Sequence, residues 1–320
     1  MTYARADIYD EEESGFFHCI SRCVRRAFLC GFDKSSGRSF EHRRGWIRAR
    51  LRELLEIFAI NCLAYSVMSN HLHSLLRNMP ELTRTWTAAE VARRWRMLFP
   101  RRRRADGTPE DPTSQELLEI ISNPDLVALY RRRLSSLSWF HRCLNENIAR
   151  RANAEDECSG RFWEGRFKSI RLETPQAVLA CSVYIDLNPI RAGIAKTLEE
   201  SDYTSLQDRI IEIVSLGSAG GPRLIPHSLA TFEQITEQTY IQLVRETAQL
   251  VVHQKSPLSP ETSSMLERLG LKSQGWVANS RNQGRFFKRI MGPVEAIRAL
   301  AARRKKAWFQ GLRAASVVFV

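Results

Sequence analysis

The sequence contains no two cysteines in a CxxC spacing, although it has seven cysteines in all. Their odd number and scattered positions argue against a disulfide framework and against a zinc knuckle. Three of them stand within apolar runs, where a thiol behaves as a small buried hydrophobe. We therefore expect a protein of a reducing cytoplasm. The seven are Cys19, Cys23, Cys30, Cys62, Cys143, Cys158 and Cys181.

Long apolar runs are also missing. No apolar stretch is long enough to cross a bilayer, and the N-terminal segment around residues 7–13 is acidic instead of apolar as in a secretory signal. No internal repeat is evident. From these absences we expect no membrane partner and a cytoplasmic location.

The composition is strongly basic. The 320 residues include 48 Lys and Arg against 35 Asp and Glu, which gives a net charge of +13 and a pI near 9.8. Nucleic acid is the favoured partner of so basic a chain, because arginine dominates and is clustered, as at residues 101–104. A solubilising surface is the plainer alternative, since charge runs are most often solvated. If the partner is DNA and the source is a bacterium, we expect the protein to be associated with the nucleoid.

Alternating apolar and polar residues predict the strands of one sheet. Apolar residues at helical spacing predict helices over 40–58 and 136–152. Strand, helix, strand, hairpin and strand is the beginning of a ferredoxin-like (RRM-like) fold. The predicted class is therefore α+β, with an antiparallel sheet and helices on one face. The predicted strands are 16–23, 60–68, 71–77 and, with its entry loop, 160–170.

Further helices are predicted at 87–99, 114–122, 126–134, 229–252, 260–269 and 293–312. This order of elements divides the sequence into four segments. The segments are the two halves of one domain at 1–77 and 135–210, a helical insertion at 78–134, and a helical, basic C-terminal extension at 211–320.

Two histidines stand on the third predicted strand. Alternate side chains of a strand point to the same face, so His71 and His73 project together while Leu72 points into a core. Two imidazoles side by side form half of a divalent-metal site. By itself the pattern fits half-exposed polar residues at least as well.

A helix beginning at Thr174 and Pro175 carries a second pair, Tyr184 and Asn188, one turn apart. An asparagine oxygen suits a hard cation such as Mg²⁺ or Mn²⁺, and a tyrosine hydroxyl beside that cation could attack phosphorus. The alternative is that Tyr184 is an aromatic core residue and Asn188 ends the helix before a proline. Spacing alone favours this alternative.

Three ordered motifs within residues 14–210 resemble one protein group. His71-Leu72-His73 is similar to the HUH motif (His, bulky hydrophobic, His) of single-tyrosine transposases of the IS200/IS605 type. Residues 184–193 resemble the Tyr-Ile-Glu-Leu-Asn-Pro-Val-Arg-Ala-Gly segment of their REP-associated branch. Residues 160–169 resemble the Leu-Trp-Gln-Gly-Arg-Tyr-Lys-Ser strand of the same branch. The insertion at 78–134 and the extension after 210 depart from the short members.

The resemblance implies a role for each matched residue. Tyr184 would be the nucleophile, and His71, His73 and Asn188 would hold Mg²⁺ or Mn²⁺. The implied reaction is cleavage and rejoining of single-stranded DNA at a hairpin or palindromic repeat, through a 5′-phosphotyrosine and a free 3′-OH. No nucleotide cofactor would be needed. A homodimer and a monomer both remain open.

Four further residues are candidates for DNA contacts. Arg161, Arg166 and Lys168 could bind phosphates, and Trp163 could stack on an unpaired base or belong to the core. Two alternatives to the enzyme stay open. One is a non-catalytic nucleic-acid-binding protein on the same scaffold, and the other is a metal-dependent hydrolase that uses water as its nucleophile.

Overall fold

The computed structural model describes residues 8–24, 29–33, 36–215, 220–253 and 257–320, so the predicted segments 1–77 and 211–320 extend beyond what it describes. Seven strands lie within these ranges: β1 (Gly15–Arg22), β2 (Phe32–Asp33), β3 (Arg38–Ser39), β4 (Ile60–Val67), β5 (His71–Asn78), β6 (Lys168–Leu172) and β7 (Ile290–Met291).

The same ranges contain fifteen α-helices, and one turn of π-helix at Gln249–His253 follows the eleventh. The α-helices are α1 (His42–Ile57), α2 (Pro80–Thr85), α3 (Ala88–Leu98), α4 (Ser114–Ile121), α5 (Pro124–Arg133), α6 (Leu137–Glu155), α7 (Pro175–Asp186), α8 (Asn188–Arg191), α9 (Ser205–Ser215), α10 (His227–Ala230), α11 (Glu237–Ala248), α12 (Pro260–Arg268), α13 (Ser273–Phe286), α14 (Val294–Arg303) and α15 (Leu312–Val318). None of these helices is both long and apolar enough to cross a membrane.

The main sheet has the strand order β4-β5-β1-β6-β7. The pairs β4-β5, β5-β1 and β1-β6 are all antiparallel. Helix α1 connects β1 to β4, and the stretch that ends in α6 connects β5 to β6. Each of these connections joins two strands that run in the same direction with one strand between them. This is the predicted ferredoxin-like arrangement, and the α+β class is confirmed.

Helices cover both faces of this sheet. Helices α1 and α6 share a core with Phe17, Leu72 and Leu76, which point to one face. Helices α7, α11 and α13 share a second core with Leu63 and Leu75, which point to the other. The expectation of helices on one face therefore describes only the α1 and α6 layer. The second layer forms because α7 and helices of the segment after it pack against the other face of the sheet.

The C-terminal extension also lengthens the sheet, because β7 pairs with β6 in parallel. Two of its predicted helices are broken. The helix expected over 229–252 is divided into α10 and α11, because Thr236 caps a new helix by accepting a hydrogen bond from the Thr239 amide. The helix expected over 293–312 ends at Arg303, and Lys305 follows with a φ of 51°.

The insertion forms helices α2 to α5, which pack against one another and against α1 and α6. Thr113 begins α4 with a capping box, and Asn123 and Pro124 begin α5. The rings of Trp95 and Tyr130 stack with centroids 3.9 Å apart, which holds α3 against α5.

Candidate active site

Strand β5 presents His71 and His73 on the face that α7 covers. The register pairs His71 with Arg22 and His73 with Ile20, both on β1. Residues directly opposite in antiparallel strands share a face, so Arg22 lies beside His71. The two imidazole centroids are 4.6 Å apart. The strand thus brings the two histidines together as the alternation predicted.

His73 is the first member of a buried chain of hydrogen bonds. Its Nδ1 lies 2.8 Å from Nε2 of His18 on β1. The other nitrogen of His18, Nδ1, lies 3.3 Å from the side-chain nitrogen of Gln283 on α13. That nitrogen is also 3.3 Å from Sγ of Cys181, and the Gln283 oxygen has no partner. A residue of the C-terminal extension therefore reaches a predicted metal ligand through one histidine.

The orientation of the Gln283 amide decides which nitrogen of His73 carries the proton. If the amide nitrogen donates to His18 Nδ1, then His18 Nε2–H donates to His73 Nδ1, and His73 Nε2 is protonated. If the amide oxygen faces His18, it accepts from His18 Nδ1–H and from the Cys181 thiol. His73 then donates from Nδ1, and its Nε2 lone pair is available. The second arrangement gives the amide oxygen two donors and places the amide nitrogen at the position that has no partner.

The imidazoles are held neutral. Burial, followed by the charges of Arg22 and Arg191, lowers the pKa of His71 to about 4. Burial and the neighbouring His71 lower the pKa of His18 to about 3. Burial likewise holds the pKa of His73 well below its usual value. A neutral imidazole is the form that binds a metal ion, so these rings do not need to lose a proton near neutral pH.

Helix α7 is anchored by polar groups at both ends. The Thr174 hydroxyl caps it by accepting from the Ala177 amide, and Pro175 stands at its first position. Asp186 at the other end is fully buried, and its carboxylate accepts from the Ser205 hydroxyl at 2.5 Å and the Tyr240 hydroxyl at 2.6 Å. Burial raises the pKa of Asp186 to about 6. Asp186 therefore fastens α7 to α9 and α11.

Tyr184 lies on α7 against the histidines, with its ring centroid 6.0 Å from those of both His18 and His73. The guanidinium of Arg191 stands over the same ring, 4.2 Å from its centroid. The hydroxyl approaches α13, where a Cβ added to Gly284 would lie 4.0 Å from it. The Tyr184 hydroxyl therefore lies close to the backbone of α13.

Asn188 begins α8, one turn after Tyr184. It is buried, its Oδ1 lies 3.4 Å from Nη1 of Arg191, and its Nδ2 has no hydrogen-bond partner. The same Arg191 lowers the pKa of both His71 and His73, so its charge acts on the histidines and on the tyrosine helix together. Asn188, Tyr184 and the histidines thus surround one arginine.

The two histidines fit a divalent cation. His71 donates from Nδ1 to Asn70 Oδ1 at 2.5 Å, which leaves its Nε2 as a ligand, and His73 offers its Nε2 when the Gln283 oxygen faces His18. Such anchoring of the second ring nitrogen is usual for metal-binding histidines. Asn188 fits less simply, because its oxygen is shared with Arg191. Among the described residues, no group of three or more His, Cys, Asp and Glu side chains is placed to hold a metal ion.

Three of the predicted DNA-contact residues are exposed, and the fourth, Trp163, is largely buried. Lys168 is exposed and pairs with Ile20, so it lies in the same row of the sheet as His73. Arg161 and Arg166 are exposed in the loop before β6. Trp163 is only 9% exposed, and its indole nitrogen donates to the Asn145 carbonyl at 2.8 Å. Much of its ring is therefore core, and its role at a base stays a prediction.

Sequence reasoning missed four residues of this cluster: His18, Arg22, Arg191 and Gln283. His18 carried a signal, because alternation along the predicted strand places it on the face opposite to Phe17. Gln283 carried none, since its place depends on the packing of α13 against α7.

No family model matches this sequence, and no curated protein is similar to it. The chain is similar to a solved structure described as "Structure of the REP associates tyrosine transposase bound to a REP hairpin". The two share 12% sequence identity, and the match covers 66% of this chain and 93% of the other, with a TM-score of 0.37. The description names the same group as the three sequence motifs, but a likeness of this extent adds no argument about catalysis.

Proposed function

We propose that this protein is a metal-dependent single-stranded DNA transesterase, a transposase-type enzyme that cleaves and rejoins DNA at hairpin-associated sites with Tyr184 as nucleophile. The observation that supports it most is the meeting of Tyr184 with His73 and His18 on one face of the sheet. The DNA partner follows from the basic charge and from the motif resemblance.

Each residue has a distinct task in this proposal. The Tyr184 hydroxyl gives its proton to water, and its oxygen forms a bond to phosphorus while the bond from phosphorus to the 3′ oxygen breaks. The 3′ oxygen takes a proton from water, which leaves a 5′-phosphotyrosine and a free 3′-OH. Arg191 stands beside the tyrosine, where its charge stabilises the negative phosphate. His71 and His73, with Asn188 as the third ligand, would hold Mg²⁺ or Mn²⁺, which when bound supplies Lewis-acid polarisation of the phosphodiester. The bond energy is kept in the phosphotyrosine, so rejoining needs no nucleotide.

The arrangement of α13 supports the same assignment. Gln283 and Gly284 are adjacent, and they meet His18 and the Tyr184 hydroxyl respectively. One helix therefore contacts both the histidine chain and the proposed nucleophile.

The test uses labelled single-stranded DNA that bears hairpins of varied stem and loop, incubated with Mg²⁺ or Mn²⁺. We expect a protein–DNA adduct that survives denaturation in the wild type and is lost in Tyr184→Phe. Tyr130→Phe is the matched control, because Tyr130 lies in the insertion and stacks on Trp95.

The outcomes separate the alternatives. An adduct that persists in Tyr184→Phe would refute the nucleophile. Cleavage without any adduct would favour a hydrolase that uses water. Tight DNA binding with neither cleavage nor adduct across all hairpins would favour a non-catalytic DNA-binding protein.

A further inference from the structure

A second candidate surface lies on the sheet face opposite to the histidines, where the insertion meets α6. A groove of about 570 Å³ separates the end of α3 from the outer side of α6. We call it the insertion groove. Its lining includes Trp95 and Phe99 from the insertion and Trp139 from α6, together with basic residues of α1, α6 and the loop after α3.

The charge of the insertion groove is strongly positive. Its lining contains five arginines and a single acidic residue, Glu146. Arg142 is 62% exposed and Arg150 is 78% exposed, and both form ion pairs with Glu146 on the same helix face. Arg50 also pairs with Glu53 at 2.6 Å, so two carboxylates face five guanidinium groups, and the groove still attracts a polyanion. The five are Arg50, Arg103, Arg142, Arg150 and Arg151.

Aromatic rings lie between these arginines. The guanidinium groups of Arg133 and Arg142 stand 4.2 Å and 4.8 Å from the centroid of the Trp139 ring. Phe99 is 42% exposed, and its ring is 4.8 Å from Trp95. Trp139 is half-buried, so Phe99 is the exposed ring among these cations. A single strand can use such a place, because a base stacks on the ring while phosphates meet the arginines. A duplex or an acidic peptide would leave the ring without that partner.

The groove continues toward the candidate active site. A neighbouring groove of about 380 Å³ shares Arg142 and Glu146 with it and is also lined by Trp163 and Arg166. Next to Trp163, the Glu164 amide donates to the Arg22 carbonyl at 2.9 Å. Arg22 in turn pairs with His71. A basic path therefore leads from the insertion to the strand ends that carry the histidines.

We propose that the insertion groove binds single-stranded nucleic acid, with arginines at the phosphates and Phe99 at a base. Binding here does not require catalysis. It gives the proposed function a second contact, on a face of the sheet that the histidines and Tyr184 do not occupy.

The test measures binding of a fluorescein-labelled 20-nucleotide oligo-dT, which has no hairpin, by fluorescence anisotropy over a series of salt concentrations. Each phosphate contact to a single strand contributes about 0.7 to the slope of log K against log salt. Arg142→Ala with Arg150→Ala should therefore reduce the slope by about 1.4 and weaken binding about 25-fold at 0.1 M salt.

The matched control is Arg84→Ala with Arg93→Ala. These arginines are 56% and 51% exposed, and each is also ion-paired with a glutamate. We expect the control to change affinity less than about twofold. Phe99→Ala should weaken binding about tenfold without changing the salt slope, whereas Leu118→Ala, an exposed apolar residue of α4, should not.

Three results would overturn the proposal. The first is equal weakening in both arginine pairs, which would mean diffuse charge. The second is tighter binding of a blunt duplex of the same length than of oligo-dT. The third is competition by polyglutamate at equal charge, which would mean an acidic protein partner. A wild type that binds oligo-dT through the groove but never forms the Tyr184 adduct would leave this proposal standing and refute the proposed enzyme.

Discussion

Gln283 offers a direct test of how the C-terminal extension acts on the candidate metal site. Gln283→Met keeps the size of a buried side chain and removes its hydrogen bonds. It leaves His18 Nδ1 without its partner 3.3 Å away. Loss of a buried hydrogen-bond partner costs about 1–3 kcal/mol. Loss of a group that orients a metal-binding histidine lowers metal affinity by about 10- to 100-fold.

The expected loss of Mn²⁺ affinity follows from the two tautomeric states of the hydrogen bonds that join His73, His18 and Gln283. With the Gln283 oxygen facing His18, His73 carries its proton on Nδ1, and its Nε2 can bind a cation. Without Gln283 nothing favours that tautomer over the other one, so part of the population holds a proton on Nε2. We therefore expect Mn²⁺ affinity to fall about tenfold or more in Gln283→Met.

Two measurements check this expectation. Calorimetric titration with Mn²⁺ gives the affinity, and ¹⁵N–¹H correlation spectra of protein labelled in histidine give the tautomer of His73 without any metal. Asn279→Leu is the control, because Asn279 is equally buried on the same helix. It tests whether any polar-to-apolar change in α13 has the same effect.

The reasoning is refuted if His73 in Gln283→Met keeps one Nδ1-protonated tautomer and binds Mn²⁺ as the wild type does. A loss of affinity that Asn279→Leu reproduces would mean that α13 has merely been loosened. A wild-type spectrum with His73 protonated on Nε2 would mean that the amide nitrogen faces His18.

Further predictions concern packing, pH and phosphate. Gly275→Ala should lower the free energy of unfolding by about 1–3 kcal/mol in urea titrations, because the new Cβ would lie 2.0 Å from the Val317 carbonyl oxygen. Gly45→Ala on α1 meets nothing within 4 Å and should raise it by about 0.5–1 kcal/mol; the same sign for both changes would contradict the packing. Burial and the Arg209 charge lower the pKa of His227 to about 4, so the unfolded chain binds the proton first as pH falls from about 6.5 to about 4. Stability should drop over that range, and a His227→Gln variant should show a slope smaller by about 1.4 kcal/mol per pH unit; an unchanged slope would disprove the shift. Arg191→Gln should slow adduct formation about tenfold or more through loss of a charged contact to phosphate, and an unchanged rate would remove Arg191 from the site.

The strands and the tyrosine helix could be predicted because their signals are local. Alternation placed His71 and His73 on one face, and Thr174 with Pro175 marked the start of α7. The second helical layer could not be predicted, because it depends on contacts between residues far apart in the chain. Helix α13 in particular contains a non-helical residue, Asn282, and two glycines, so its sequence has no helical signal of its own. It forms where α7 and α15 provide surfaces to bury it.

The bond between Gln283 and His18 joins residues 265 positions apart in the chain. During synthesis the strands with the histidines and the helix with Tyr184 emerge well before α13. At about 5–20 residues per second, the interval between His18 and Gln283 is about 13–53 s. A nascent chain that has passed α7 but not reached α13 contains β1, β4, β5 and β6 but not β7, and Gln283 does not yet orient its histidines. The time at which α13 is made therefore sets when the candidate metal site becomes oriented, and a nascent chain that has not yet reached Gln283 would bind a cation more weakly.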